Sequence, residues 1–125
     1  MRILKLVMVM LLACIGSAFA QSKKGTLVTA KISTPTALCE QCKDRIERFL
    51  DREEGVQSAK VNFHTKTTVV KFYSDRTNIE NIKTAIANAG YDADNVTANP
   101  ESYNRLPTAC KKPEDGGTHG LKKKP

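Results

Sequence analysis

A chain of 125 residues with 40% hydrophobic and 26% charged side chains and no tryptophan has the size and composition of one soluble domain, and excludes a collagen-like, solenoid or wholly disordered chain. The formal charge is +7, but residues 21–102 balance to +1 and residues 103–125 to +4. The basic surplus therefore sits in the tail and not on the body, which argues against nucleic-acid binding through a basic folded face.

Residues 1–20 read as a targeting segment. Arg2 and Lys5 are followed by an apolar run from Leu6 to Ile15 and by Ala18-Phe19-Ala20, a small-x-small cleavage site before Gln21. The run is shorter than the roughly 20 residues that span a bilayer, so a cleaved signal peptide is expected rather than a retained helix. The mature chain is expected to be exported, periplasmic or secreted, with no transmembrane span. Leu11-Leu12-Ala13-Cys14 supplies an alternative: a lipobox-like stretch that would anchor a lipoprotein at Cys14.

In the mature region, Thr26 to Ile32 alternates, with Val28, Ala30 and Ile32 on one side; this predicts a strand. Ser33 to Leu38, with Pro35, reads as a loop. Cys42, Ile46, Phe49 and Leu50 form one apolar stripe on a helix expected from Glu40 to Arg52, with Gly55 as the stop. Ala59, Val61 and Phe63 alternate in a second strand. His64-Thr65-Lys66 is short enough to make an antiparallel hairpin with a third strand, Thr67 to Tyr73. Thr77-Asn78-Ile79-Glu80 fits a capping box. Ile79, Ile82, Ala85, Ile86 and Ala89 then form a helical stripe that ends at Gly90. A short fourth strand is expected near Ala93 to Thr97.

The order strand–helix–strand–strand–helix–strand predicts an α+β, ferredoxin-like βαββαβ sandwich over residues 25–98, with two helices on one face of a four-stranded antiparallel sheet. Pro100, Pro107, Pro113, Gly116, Gly117 and Gly120 punctuate residues 99–125, which read as a flexible basic tail.

The chemistry-bearing motif is Cys39-Glu40-Gln41-Cys42, at the point where the first loop becomes the first helix. Free N–H groups and the helix dipole place partial positive charge there and favour thiolates, the species that binds metal. Soft sulfur selects soft ions. Zinc normally takes four ligands and no second pair is evident, so Cu(I) is the expected ion, with Hg(II) and Zn(II) as alternatives. No paired carboxylates, phosphate loop or Ser/His/Asp order is present, so no enzyme is expected.

Gly25 to about Asn95 resembles the heavy-metal-associated domain of copper chaperones, metal-transporting ATPases and the periplasmic mercury-binding protein. The resemblance rests on the first strand, Cys39-x-x-Cys42, Ile46, Glu54-Gly55-Val56, the hairpin and Ile86-Ala87-Asn88-Ala89-Gly90-Tyr91-Asp92. It implies the ferredoxin-like fold and Cys39 and Cys42 as metal ligands. It also implies transfer of the ion to or from a metal-transporting ATPase or other metal-transfer protein, and places Tyr91 in a loop beside the site. Thr36-Ala37-Leu38 stands where the family usually has Gly-Met before a Thr or His, and Ala37 is too small to pack as that Met does.

Two rival uses of the same cysteines remain: a thiol–disulfide redox protein, and an adaptor domain with a vestigial site. After signal cleavage Cys39, Cys42 and Cys110 leave an odd count. Cys110 is read either as a third ligand or intermolecular bridge, or as a tail thiol without a fixed role. His64 is read as a solvated turn residue, and His119 as a tail residue with a possible auxiliary role. Lys122 to Lys124 read as a solvated end.

Overall fold

The computed structural model describes residues 25–118. The expected signal peptide, Cys14, His119 and the terminal lysines lie outside the described residues. β1 (Leu27–Ser33), α1 (Glu40–Asp51), β2 (Val56–Asn62), β3 (Thr67–Tyr73) and α2 (Ile79–Ala89) follow the expected order, and a short helix α3 (Pro100–Asn104) comes after them.

The strands form an antiparallel sheet in the order β1-β3-β2. Alternation sets which face is covered: along β3, Thr68, Val70 and Phe72 are buried while Val69 and Lys71 are exposed. The β2–β3 turn is fastened by Asn62, whose Oδ1 accepts from the His64 and Thr65 amides at 3.0 and 3.1 Å. Lys66 closes the turn at φ 55°. The register of β2 shifts between Val56 and Ser58, a bulge at Gln57.

α1 buries Cys42, Ile46 and Leu50, and α2 buries Ile82, Ala85, Ile86, Ala87 and Ala89. These faces meet Ile32, Val61, Val70 and Phe72 of the sheet in one core. Each fully buried Ile or Leu contributes roughly 1.5–3 kcal/mol, so the core rests on a few large side chains. Phe49, expected in the α1 stripe, is instead 38% exposed. It lies at the margin of that stripe, a helical turn from Ile46 and beside the solvated Arg48.

Three expectations need correction. The fourth strand does not form among the described residues: 91–98 make a tight turn with one isolated bridge, Ala93 to Val96. The segment is rich in Asp and Asn, and Asp94 sits at φ 50°, which breaks an extended run. It is nevertheless tied to the end of β1, because the Asp94 amide donates to Ser33 O at 2.8 Å and the Ser33 amide to Asp94 Oδ1 at 2.7 Å. The cap of α2 is Asn78 and not Thr77: Asn78 Oδ1 accepts from the Asn81 amide at 2.9 Å, and Thr77 is buried.

The third correction concerns the tail. Residues 99–118 are folded rather than flexible. Asn99 caps α3 and Pro100 occupies its first turn, a favourable start for a helix. Single 3-10 turns follow at Thr108–Cys110 and Pro113–Asp115. The Asn99 amide donates to Ala87 O at 2.9 Å, which fixes the segment to the end of α2. Leu106, 5% exposed, packs on Gly90. A Cβ built at Gly90 would lie 3.0 Å from the Leu106 side chain, and its φ is +105°, so Gly serves there both as helix stop and as clearance.

Candidate metal centre

The loop leading to the cysteines is held at three points. The Thr34 amide donates to Lys66 O at 2.9 Å, and Thr34 Oγ1 lies 3.0 Å from Thr68 Oγ1 in the interior. Thr36 Oγ1 accepts from the Asp92 amide at 3.0 Å, which joins the loop to the segment after α2. Ala37 is fully buried in the same cluster as Leu106 and Cys110. The place where a long side chain was expected is thus part of a packed core that includes the C-terminal segment.

Cys39 is the N-cap residue of α1, with extended backbone and no side-chain cap bond. Cys42 lies in the first turn, one step round the helix, and the two sulfurs are 3.1 Å apart. The helix start thus aims both at one point and supplies the positive end of a dipole to them.

A third sulfur is present. The Thr108–Cys110 turn lies against the start of α1, and the Sγ atoms of Cys39, Cys42 and Cys110 all fall within 4.8 Å of one another. Cys39 Sγ also lies 3.5 Å from Ala109 O, within donating distance. All three cysteines are free thiols and buried: Cys39 is 6% exposed, Cys42 0% and Cys110 2%. The turn at 108–110 is what covers the Cys39–Cys42 pair.

Tyr91 lies in the same cluster. It is fully buried, and its hydroxyl makes no hydrogen bond of normal geometry among the described residues. The Cys42 and Cys110 sulfurs lie near enough to act on it. His64 packs against Phe63 with tilted rings, centroids 4.3 Å apart, lines a groove with Lys43, Glu47 and Val69, and does not join the group of three sulfurs.

Protonation follows from these contacts. Donation from the Cys110 thiol, more weakly from Cys39, and the nearby dipole of the Tyr91 hydroxyl together outweigh burial and hold Cys42 down to about 5. Burial first, and then the bond to Cys42, pushes Cys39 up. Cys110 is pushed up by giving its hydrogen bond to Cys42 and by burial. Burial and the nearby Cys42 charge push Tyr91 up. At neutral pH the cluster is one thiolate supported by two thiols and a phenol.

Sequence reasoning identified Cys39 and Cys42 and left Cys110 undecided. It missed Leu106 and the Ala109 carbonyl. The available signal was Asn99-Pro100, a cap followed by a first-turn proline, which marks a helix start inside the expected tail.

Residues 32–92 match the heavy-metal-associated domain model. Those residues are a heavy-metal-associated domain. The heavy-metal-associated domain here is similar to part of a copper-exporting P-type ATPase of Staphylococcus epidermidis, at 40% identity over 67 residues. That match covers 54% of this chain but 8% of the ATPase, so the chain spans less than a tenth of its relative.

Among solved structures, oxidized MerP from Ralstonia metallidurans CH34 is similar at 29% identity and TM-score 0.53, covering 55% of this chain and 96% of that one. The Cu(I)-loaded N-terminal domain of a potential copper-translocating P-type ATPase from Bacillus subtilis gives 29% identity, TM-score 0.53, and coverage of 55% and 86%. These likenesses confirm the ferredoxin-like α+β fold of the heavy-metal-associated domain. Cys110 and the helix α3 lie beyond its matched residues.

Proposed function

We propose that this protein binds a soft metal ion through Cys39 and Cys42 and passes it on by thiolate exchange, with Cu(I) as the first-choice ion and Hg(II) as the second. The observation that carries the reading is the pair of sulfurs 3.1 Å apart at the start of α1, inside a heavy-metal-associated domain. The thiolate form needed for binding is favoured at Cys42. No chemistry beyond ligand exchange is required: an incoming thiolate displaces one sulfur from the ion, then the next, and the ion keeps its charge throughout.

The similarity to domains of copper-exporting ATPases supports a metal-transporting ATPase or another metal-transfer protein as the partner. The pattern of residues 1–20 supports export, and N-terminal sequencing of the protein from its own compartment should begin at Gln21.

Anaerobic titration of the reduced mature chain tests the central claim. One equivalent of Cu(I) should bind and withstand a weak chelator, and the Cys39→Ala, Cys42→Ala double variant should lose it. Equal binding by the double variant would remove the reading.

A further inference from the structure

We propose that Cys110 is a third ligand, so that the ion sits between three sulfurs and the C-terminal segment closes over it. This rests on the proposed metal-binding role of Cys39 and Cys42 and adds to it a residue outside the matched domain.

Geometry argues for the third sulfur. A thiolate–metal bond is about 2.3 Å for zinc, so three sulfurs around one such ion stand about 4 Å apart. The three Sγ atoms already lie within 4.8 Å of one another, and small side-chain adjustments bring them onto one ion. The segment that carries Cys110 is attached independently of any metal. The Asn99 amide holds Ala87 O, Leu106 is buried on Gly90, and the Gly117 amide closes a loop on Lys112 O at 2.9 Å. Cys110 is thus delivered by a folded element and is not a tail thiol that drifts past.

A second observation points the same way. Tyr91 brings a fully buried hydroxyl without a partner to the same cluster. Buried hydroxyls are rarely left unpaired, and gathering the three sulfurs onto one ion would shift a charged sulfur into line with this one as an acceptor.

The third thiolate also alters which ion is preferred. Three thiolates carry three negative charges in a site where every cysteine is under 7% exposed. A monovalent ion leaves two of those charges uncompensated and a divalent ion leaves one, and uncompensated buried charge is costly. The three-sulfur site therefore favours a divalent thiophilic ion, relative to what the Cys39–Cys42 pair alone would hold.

X-ray absorption at the metal edge, with one equivalent of Hg(II) or Cu(I) on the reduced full-length mature chain, tests the proposal. Three sulfurs per Hg(II) are expected in the wild type, with Cys110 shielded from iodoacetamide, and two in Cys110→Ser. Affinity for Hg(II) should fall at least about tenfold in Cys110→Ser, as when one arm of a linked set is cut, and more than affinity for Cu(I). Two sulfurs in the wild type, with Cys110 alkylated equally fast with and without either ion, would overturn the proposal and leave the two-cysteine reading intact. Failure of the wild type to take up either ion would overturn both. The wild-type sulfur count does not depend on whether Cys110→Ser folds.

Discussion

Cys42 is the residue on which the electrostatics of the cluster converge. Cys110 and Cys39 donate to it and the Tyr91 hydroxyl lies nearby, and that places its thiol near 5 instead of 9.0. Its pKa is lowered, so it is the thiolate above about pH 5 and the thiol below it, while Cys39 and Cys110 stay protonated well past neutrality. Ultraviolet titration of the metal-free reduced chain should therefore show one thiolate rising around pH 5 and no second one below pH 9. Cys110→Ala removes the largest contribution and should move that first step upward. Tyr91→Phe should move it upward too, by less, since the nearby Tyr91 dipole is the smallest of these contributions. Because the Tyr91 hydroxyl has no partner, the same Tyr91→Phe change should leave the urea midpoint unchanged or raise stability by up to about 1 kcal/mol. Loss of several kcal/mol would show that the hydroxyl is bonded in solution.

The helices show how far local signals reach and where they stop. The spacing of Ile79, Ile82, Ala85, Ile86 and Ala89 is that of an amphipathic helix, and α2 forms on it with Gly90 as its left-handed end. Its N-cap was expected at Thr77, and Asn78, the next good capping residue, takes the role instead. Burial decided the matter, since Thr77 is 7% exposed and packs inward while Asn78 is free to cap. Asn78→Ala should cost about 1 kcal/mol in a urea melt. Gly90→Ala should cost more than about 1 kcal/mol, because it forces a side chain to φ +105° and also into Leu106. The hairpin was readable because β-branched alternation and a short polar turn coincide. The fourth strand was not, because its few apolar residues suit an extended run whereas Asp94 and its neighbours favour a turn.

At the scale of the molecule, the Cys-x-x-Cys pair and the ferredoxin-like core were legible from motif and periodicity, and the covering of the pair was not. Pro and Gly between 99 and 120 read as a tail because composition cannot show that Leu106 lands on Gly90 and Cys110 on the start of α1. Pairing at that separation is a property of tertiary packing and leaves only faint local traces, such as Asn99-Pro100. Truncation after Ala98 should therefore do two things. Urea stability should fall by roughly 1.5–3 kcal/mol from loss of Leu106 burial alone. Cys39 should become markedly more reactive toward iodoacetamide, because Ala109 and Cys110 no longer cover it. An unchanged alkylation rate would mean that the segment does not cover the sulfurs in solution.

The Ala87 carbonyl accepts from two amides at once, that of Gly90 at 3.0 Å and that of Asn99 at 2.9 Å. The last turn of α2 and the C-terminal segment therefore share a foothold, and Tyr91 hangs from the same spot. Fraying of that single turn would loosen the floor of the sulfur chamber and its roof together. The chamber then opens as a unit, and access to its sulfurs is governed by the grip of one helix end as much as by sulfur chemistry.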